Sequence, residues 1–234
     1  LVDTGERRIL IDAGTGDKQL KYLAYYGFKG VIDFESELGK SGYECSDITD
    51  VIFTHLHFDH CGGATRFGAD GESVELVFPN ATHWVSQTQW DNFMHPNVRE
   101  SDSYFVENMI PISTAGKLKL VTENQLVCPE LEIRIFNGHT VGQLVSYIHL
   151  GSKTLVHVGD VIPLAANVPL SWISSYDVFP LTAMEEKKVL LDEAADKEQI
   201  LFFEHDAYTE CCTVTANYKK HKIEKTFGLE EIEL

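Results

Sequence analysis

Val51, Ile52 and Phe53 run without a polar break into Thr54-His55-Leu56-His57-Phe58-Asp59-His60, and Gly62-Gly63 follow at once. A short, wholly apolar run entered from a turn and closed by glycines is the pattern of a strand buried on both faces. Such a strand commits the chain to layers, with its polar chemistry gathered where the strand ends. His55 and His57 are two residues apart, so on an extended backbone they project to the same side. Asp59 and His60 are expected on the loop beyond, where they can turn back toward them. Crowded neutral imidazoles would bury lone pairs without partners, and protonated ones would repel, unless a cation sits among them. Histidine and carboxylate donors suit zinc and similar first-row metals.

Three further stretches repeat the arrangement. FNGHTVGQ places His139 after an apolar strand at 131–136, LVHVGDVI places Asp160 after one at 154–158, and LFFEHD places His205 after one at 200–203. Each strand delivers one ligand-type residue at its end, where open sheets collect their chemistry. His55, His57, Asp59, His60, His139, Asp160 and His205 are too many for one tetrahedral ion, but two ions sharing a carboxylate would use them all. His83, His95, His149, His157 and His221 are expected to be solvated or simply hydrogen-bonded.

The remaining pattern supports a layered fold. LVDTGERRILIDAG reads as two strands about a turn at Gly5-Glu6, and the spacing of Leu20, Leu23 and Ala24 predicts a helix over 17–26 stopped by Gly27. The Gly62-Gly63 pair is expected to turn the backbone sharply into a helix at 64–67. Strands are expected at 81–85, 118–122, 125–127 and 144–150, helices at 87–94, 101–109 and 181–195, and a strand pair near the end. Meanders interleaved with helices argue for two packed sheets with helices outside, in one domain over residues 1–234. The chain opens at Leu1 in mid-strand and without a methionine, so the domain is expected to lack its first strands here.

Charge and cysteines narrow the partners. With 36 acidic against 19 basic residues the net charge is -17, which opposes nucleic acid and anionic lipid surfaces. No apolar run approaches the roughly 18 residues needed to span a bilayer, so no membrane partner is expected. Lys219, Lys220, Lys222 and Lys225 alternate with Ile223 and Phe227 as the wet face of a strand. The five cysteines, odd in number and without a CxxC pair, read as free thiols in a reducing compartment, so a cytoplasmic location is expected.

HLHFDH, GHTVGQ, the GD pair and the late histidine together resemble the HxHxDH signature set of the metallo-β-lactamase superfamily, over nearly the whole chain. The resemblance implies an α/β (α+β) four-layer αβ/βα sandwich, two mixed sheets packed face to face with helices outside. It implies that His55, His57 and His139 hold one metal, that Asp59, His60 and His205 hold the second, and that Asp160 bridges. Two divalent ions, zinc ahead of manganese, iron or cobalt, would carry a bridging hydroxide as nucleophile. Asp59 would also be catalytic, passing the released proton to the leaving group. Thr54 and Thr140 would orient imidazoles, and Gly138, Gly142 and Gly159 would let the backbone approach the metals.

Within the superfamily, THLHFDHCGG with GDVIP looks most like the branch of N-acyl homoserine lactone lactonases and methyl parathion hydrolase-type esterases. Quorum-quenching lactonases of that branch carry a tyrosine three residues after the bridging aspartate, where Pro163 stands here. The expected substrate is a small, neutral, apolar ester or lactone, either acyl homoserine lactone-like or an aryl or phospho ester. The alternatives are an iron-dependent oxidoreductase of the same fold, of sulfur dioxygenase or diiron type, and a thioester hydrolase of glyoxalase II type. An aromatic-rich insert over 83–112 (Trp84, Trp90, Phe93, Met94, Tyr104, Phe105, Met109) reads as core packing, a cover for the site, or the contact of a homodimer. The loop PLSWISSYDVFP, with Trp172, Tyr176 and Phe179, invites the same readings.

Overall fold

Two strands rich in isoleucine, Arg8–Ile11 (β2) and the wholly buried Asp50–Ile52 (β3), pair in parallel and start the first sheet. The computed structural model describes residues 1–28, 31–217 and 220–232, and the chain divides into two units, Leu1–Thr122 and Glu123–Leu234. In the first unit the expected hairpin is present. Val2–Asp3 (β1) pairs antiparallel with β2, Thr4 N–H donates to Arg7 O at 3.0 Å, and Gly5 takes the left-handed φ of 84° that the turn requires. The sheet order is β1-β2-β3-β6-β7, where β6 is Thr82–Ser86 and β7 is Leu118–Val121. From β2 to β7 all neighbours are parallel, so the carboxyl ends of β2 and β3 open on one edge. Helices Phe34–Lys40 (α1), Gln87–Met94 (α3) and Val106–Thr114 (α4) set Leu38, Phe93, Met109 and Ile112 into one core with Val51, Phe53 and Val85. That shared burial, rather than helix propensity, holds these short helices in place.

Three expectations shift here. The helix beyond the histidine motif forms earlier, at Phe58–Cys61 (α2), and Thr65–Phe67 is a strand (β4) paired with Val74–Leu76 (β5). The helix over 17–26 is only a 3-10 turn at Tyr22–Tyr26, ended as expected by Gly27 at φ 66°. Leu23 alone is buried there, so no apolar stripe exists to fasten a full α-helix. The helix expected at 101–109 is split into a 3-10 turn at Ser101–Ser103 and α4, because Tyr104 and Phe105 are extended.

The second unit is a seven-stranded sheet, order β14-β13-β12-β11-β10-β9-β8. Its strands are Gln125–Cys128 (β8), Leu131–Phe136 (β9), Gln143–Leu150 (β10), Lys153–His157 (β11), Ile200–Phe202 (β12), Cys211–Asn217 (β13) and Lys220–Phe227 (β14). Only β11 and β12 are parallel, so β9, β11 and β12 all run the same way and end on one edge. Helix Pro180–Asp196 (α5) lays Leu190, Leu191 and Ala194 onto Val145, Tyr147, Val156, Leu201 and Cys212. Residues 143–148 of β10 are buried without a break, as befits a strand covered on both faces. Lys220, Lys222 and Lys225 are exposed on β14 as the alternation predicts, and Lys219 lies outside the described residues. All five cysteines are free thiols, and no helix among the described residues is long and apolar enough to cross a membrane.

Candidate functional site

In the first unit the backbone leaves β3 at Thr54 and delivers four candidate ligands within six residues. His55 and His60 are fully buried, and their rings lie 4.0 Å apart between centroids. Asp59 and His60 are not on a loop: they ride the single turn of α2, where His60 N–H donates to His57 O at 3.0 Å. A helical turn places both on the strand side more tightly than a free loop would.

Asp12, at the end of β2, anchors this cluster from behind. Its carboxylate accepts from Thr54 N–H at 2.6 Å, from Thr54 Oγ1–H at 2.6 Å and from His60 Nδ1–H at 2.8 Å. To do so it adopts φ 56°, a left-handed conformation that aspartate tolerates better than most residues. The loop after it, residues 13–16, presses on Gly62 and Gly63: a Cβ on Gly62 would lie 1.9 Å from Thr15 O, and one on Gly63 2.0 Å from Ala13 O. The glycine pair is thus needed for close approach between two chain segments, since Gly62 itself has ordinary helical dihedrals (φ -60°, ψ -36°).

The proton-bearing nitrogens follow from these partners. His55 Nδ1–H donates to Thr54 Oγ1 at 3.0 Å, as expected of Thr54, and His57 Nε2–H donates to Glu100 Oε1 at 3.2 Å. That assignment leaves lone pairs on His55 Nε2 and His57 Nδ1, which face each other 2.9 Å apart. Two imidazole nitrogens turned toward one point in this way suit donation to a shared cation. Cys61, next in sequence, is no ligand: burial pushes its thiol up to about 12, and Sγ–H donates to Leu56 O at 3.4 Å.

The second unit repeats this logic with donors from three separate connections. His139 follows β9, Asp160 sits in a 3-10 turn after β11, and His205 follows β12. Asp160 stands between the two imidazoles, Oδ2 3.3 Å from His139 Nε2 and Oδ1 3.1 Å from His205 Nε2. On its far side, His139 Nδ1–H donates to Asp177 Oδ1 at 3.1 Å, so the His139 lone pair is directed at a carboxylate. With Gln143 oriented to satisfy its amide, its oxygen accepts from Asp160 N–H at 2.8 Å and Val161 N–H at 3.2 Å and fixes the aspartate's backbone. Two anion-like atoms facing each other again fit a shared cation.

Helix α5 braces these connections. Glu186 accepts from Asn137 N–H at 2.8 Å and Gly138 N–H at 2.9 Å, and burial raises its pKa. Lys187, 1% exposed, donates to three backbone carbonyls, Asn167 O at 2.9 Å, Pro169 O at 3.1 Å and Trp172 O at 2.9 Å. The aromatic-rich loop is thereby pinned, and it returns Val178 N–H to His139 O at 2.9 Å. Gly138 meets a packing need here: a Cβ would lie 2.3 Å from Ala183 Cα on α5.

Asp12, Glu100 and Asp177 carry no spacing signal as ligands, and Gln143, though it closes the GHTVGQ stretch, was not read as a functional residue. Of the three carboxylates Asp12 offers a hint, as the polar end of an apolar strand. Of the histidines outside the motifs, His221 and His95 are hydrogen-bonded or solvated as expected, and His83 departs from that expectation, buried with its ring stacked on Phe53. His221 Nε2 meets Asp192 at 2.6 Å and His95 is exposed, whereas His83 is buried among apolar neighbours and held down to about 4. In the insert Trp84, Phe93, Tyr104 and Met109 pack into the first unit, while Trp172 and Tyr176 in the later loop are exposed.

The chain is similar to several known proteins. The N-acyl homoserine lactonase AiiA of Bacillus thuringiensis subsp. kurstaki is 26% identical over 193 residues, 77% of this chain and 65% of that protein, so the chain spans less than two thirds of its length. A Staphylococcus aureus protein described as a probable metal-dependent hydrolase superposes with a TM-score of 0.87 at 26% identity, covering 99% of this chain and 81% of that one. AidC, a dizinc quorum-quenching lactonase solved with a product, does so with a TM-score of 0.77 at 25% identity, covering 97% and 79%. Residues 1–205 match the metallo-beta-lactamase superfamily profile. A match of that extent shows that the chain belongs to the metallo-β-lactamase superfamily and has its fold.

Proposed function

We propose that this hydrolase-family chain opens lactones or cleaves small esters with two divalent ions, zinc first among them. His55, His57 and His139 would hold one ion, Asp59, His60 and His205 the other, and Asp160 would be shared. The observation that carries the reading is the 2.9 Å approach of His55 Nε2 to His57 Nδ1, with the opposite ring nitrogens tied to oxygens of Thr54 and Glu100. Bound there, such ions lower the pKa of water and polarise a carbonyl or phosphoryl oxygen.

The chain's own residues supply the rest. Asp59 is partly exposed, its side chain at 32%, and its Oδ2 lies 3.8 Å from His60 Nε2, so it can take a proton and return it to a leaving alkoxide. Phe58, between His57 and Asp59, packs against Tyr26, Phe28 and Phe105. That apolar neighbourhood and the net charge of -17 favour a neutral acyl or aryl substrate over an anionic one.

The test is a panel of acyl homoserine lactones, aryl esters and phosphotriesters offered to metal-loaded protein, chelated protein and Asp59→Asn. Turnover that disappears with chelator and falls at least tenfold in Asp59→Asn supports the reading. Turnover indifferent to chelator removes the metal, and unaltered turnover in Asp59→Asn removes the proton carrier. Native iron with dioxygen uptake would instead favour the oxidoreductases of this fold.

A further inference from the structure

We infer that Glu100, held by Tyr104, Asn92 and Asn97, is the positioning residue that dictates which nitrogen His57 offers to a metal. The assignment rests on the reading of His57 as a ligand and names a residue outside every motif that carries that reading.

Glu100 is 3% exposed, so its carboxylate must be satisfied by the protein. Oε1 meets His57 Nε2 at 3.2 Å and accepts from Tyr104 OH at 2.9 Å; Oε2 accepts from Asn92 Nδ2 at 3.2 Å and Asn97 Nδ2 at 2.5 Å. These neutral donors hold the carboxylate in place. Among these partners His57 has a choice of tautomer. A proton drawn to Nε2 leaves Nδ1 as the donor atom, and Nδ1 is the atom that faces His55. Without the carboxylate the ring can flip or change tautomer, and the facing pair is lost.

The same segment also sets the backbone of the motif. Gln89 Oε1 accepts from Leu56 N–H at 3.2 Å, between the two histidines, and the Tyr104 ring lies 5.2 Å from the His57 ring. The insert thus has a task beyond packing: α3 fixes where the strand end sits, and the turn after it fixes how one imidazole is rotated.

Zinc binding by full-length protein, measured by competition with a chromophoric chelator, tests this in wild type, Glu100→Gln, Glu100→Leu and Tyr104→Phe. The expected result is a 10- to 100-fold loss of affinity for one of two ions in Glu100→Leu. Glu100→Gln, which keeps an acceptor oxygen, should recover part of it, and Tyr104→Phe should lose less than either. Cobalt(II) spectra should change in Glu100→Leu, while the melting temperature of metal-free Glu100→Gln stays near wild type. If Glu100→Leu does not fold, the Glu100→Gln affinity and spectrum decide alone. Wild-type affinity and an unaltered cobalt spectrum in the folded variants overturn the assignment while leaving the metal reading intact. A wild-type chain that binds no zinc overturns the metal reading, and this assignment with it.

Discussion

The two units reach similar chemistry by different routes. In the first, one strand end and one helical turn supply His55, His57, Asp59 and His60, so local geometry alone sets most of their spacing. In the second, His139, Asp160 and His205 leave three strands, and nothing local relates them except the shared edge, Asp160 between the two imidazoles, and α5 behind the connections. The contrast teaches that a contiguous motif is positioned by its own backbone, whereas dispersed donors depend on long-range packing. Damage should therefore spread differently in the two halves.

The largest expected difference comes from Asp160→Asn, which weakens the one group common to His139 and His205. Metal content by mass spectrometry and ester turnover should fall to background. Thr54→Ala, which removes one orienting hydroxyl in the first unit, should cost only about tenfold in affinity. A variant lacking the carboxylate charge of Asp160 that still keeps two ions would break the comparison. Next come the close approaches. Gly62→Ala and Gly138→Ala each drive a Cβ into main-chain atoms, at 1.9 Å and 2.3 Å, and should each destabilise by about 3 kcal/mol or more in urea unfolding.

A smaller effect separates the units by pH. Burial holds His83 at about 4 in the folded chain against 6.5 normally, so the unfolded chain binds more protons between those values. Stability should then fall as pH drops through that window, by about 3 kcal/mol, and His83→Gln should flatten the slope. Hydrogen exchange resolved by segment should place the loss around β6. The smallest effect is expected for Lys187→Met, about 1–2 kcal/mol for three carbonyls left without their ammonium. Faster exchange confined to residues 165–179 would sharpen the view of α5 as a brace, and unaltered exchange there would end it.

The same contrast explains what was legible in the sequence. Apolar runs ending in His, Asp or Gly marked β3, β9, β11 and β12, because alternation and strand-end glycines are local signals. The short pieces went astray where tertiary contact decides: Thr65–Phe67 is a strand because Val74–Leu76 pairs with it, not through anything in its own three residues. Asp12, Glu100 and Asp177 stayed hidden for a related reason. Each lies 38 to 48 residues from the imidazole it grips, and a single carboxylate at such a separation leaves no periodic trace. The glycines of 62–63 and 138 were noticed, yet their neighbours, Thr15, Ala13 and Ala183, could only come from the fold.

Lys187 holds its loop entirely by main-chain oxygens, and every amino acid carries one. The grip is blind to side-chain identity, so Trp172 and Tyr176, both facing solvent, can be exchanged by mutation without loosening the tether. A chain built this way can vary what that stretch presents while its ends, and the aspartate that steadies His139, stay where they are.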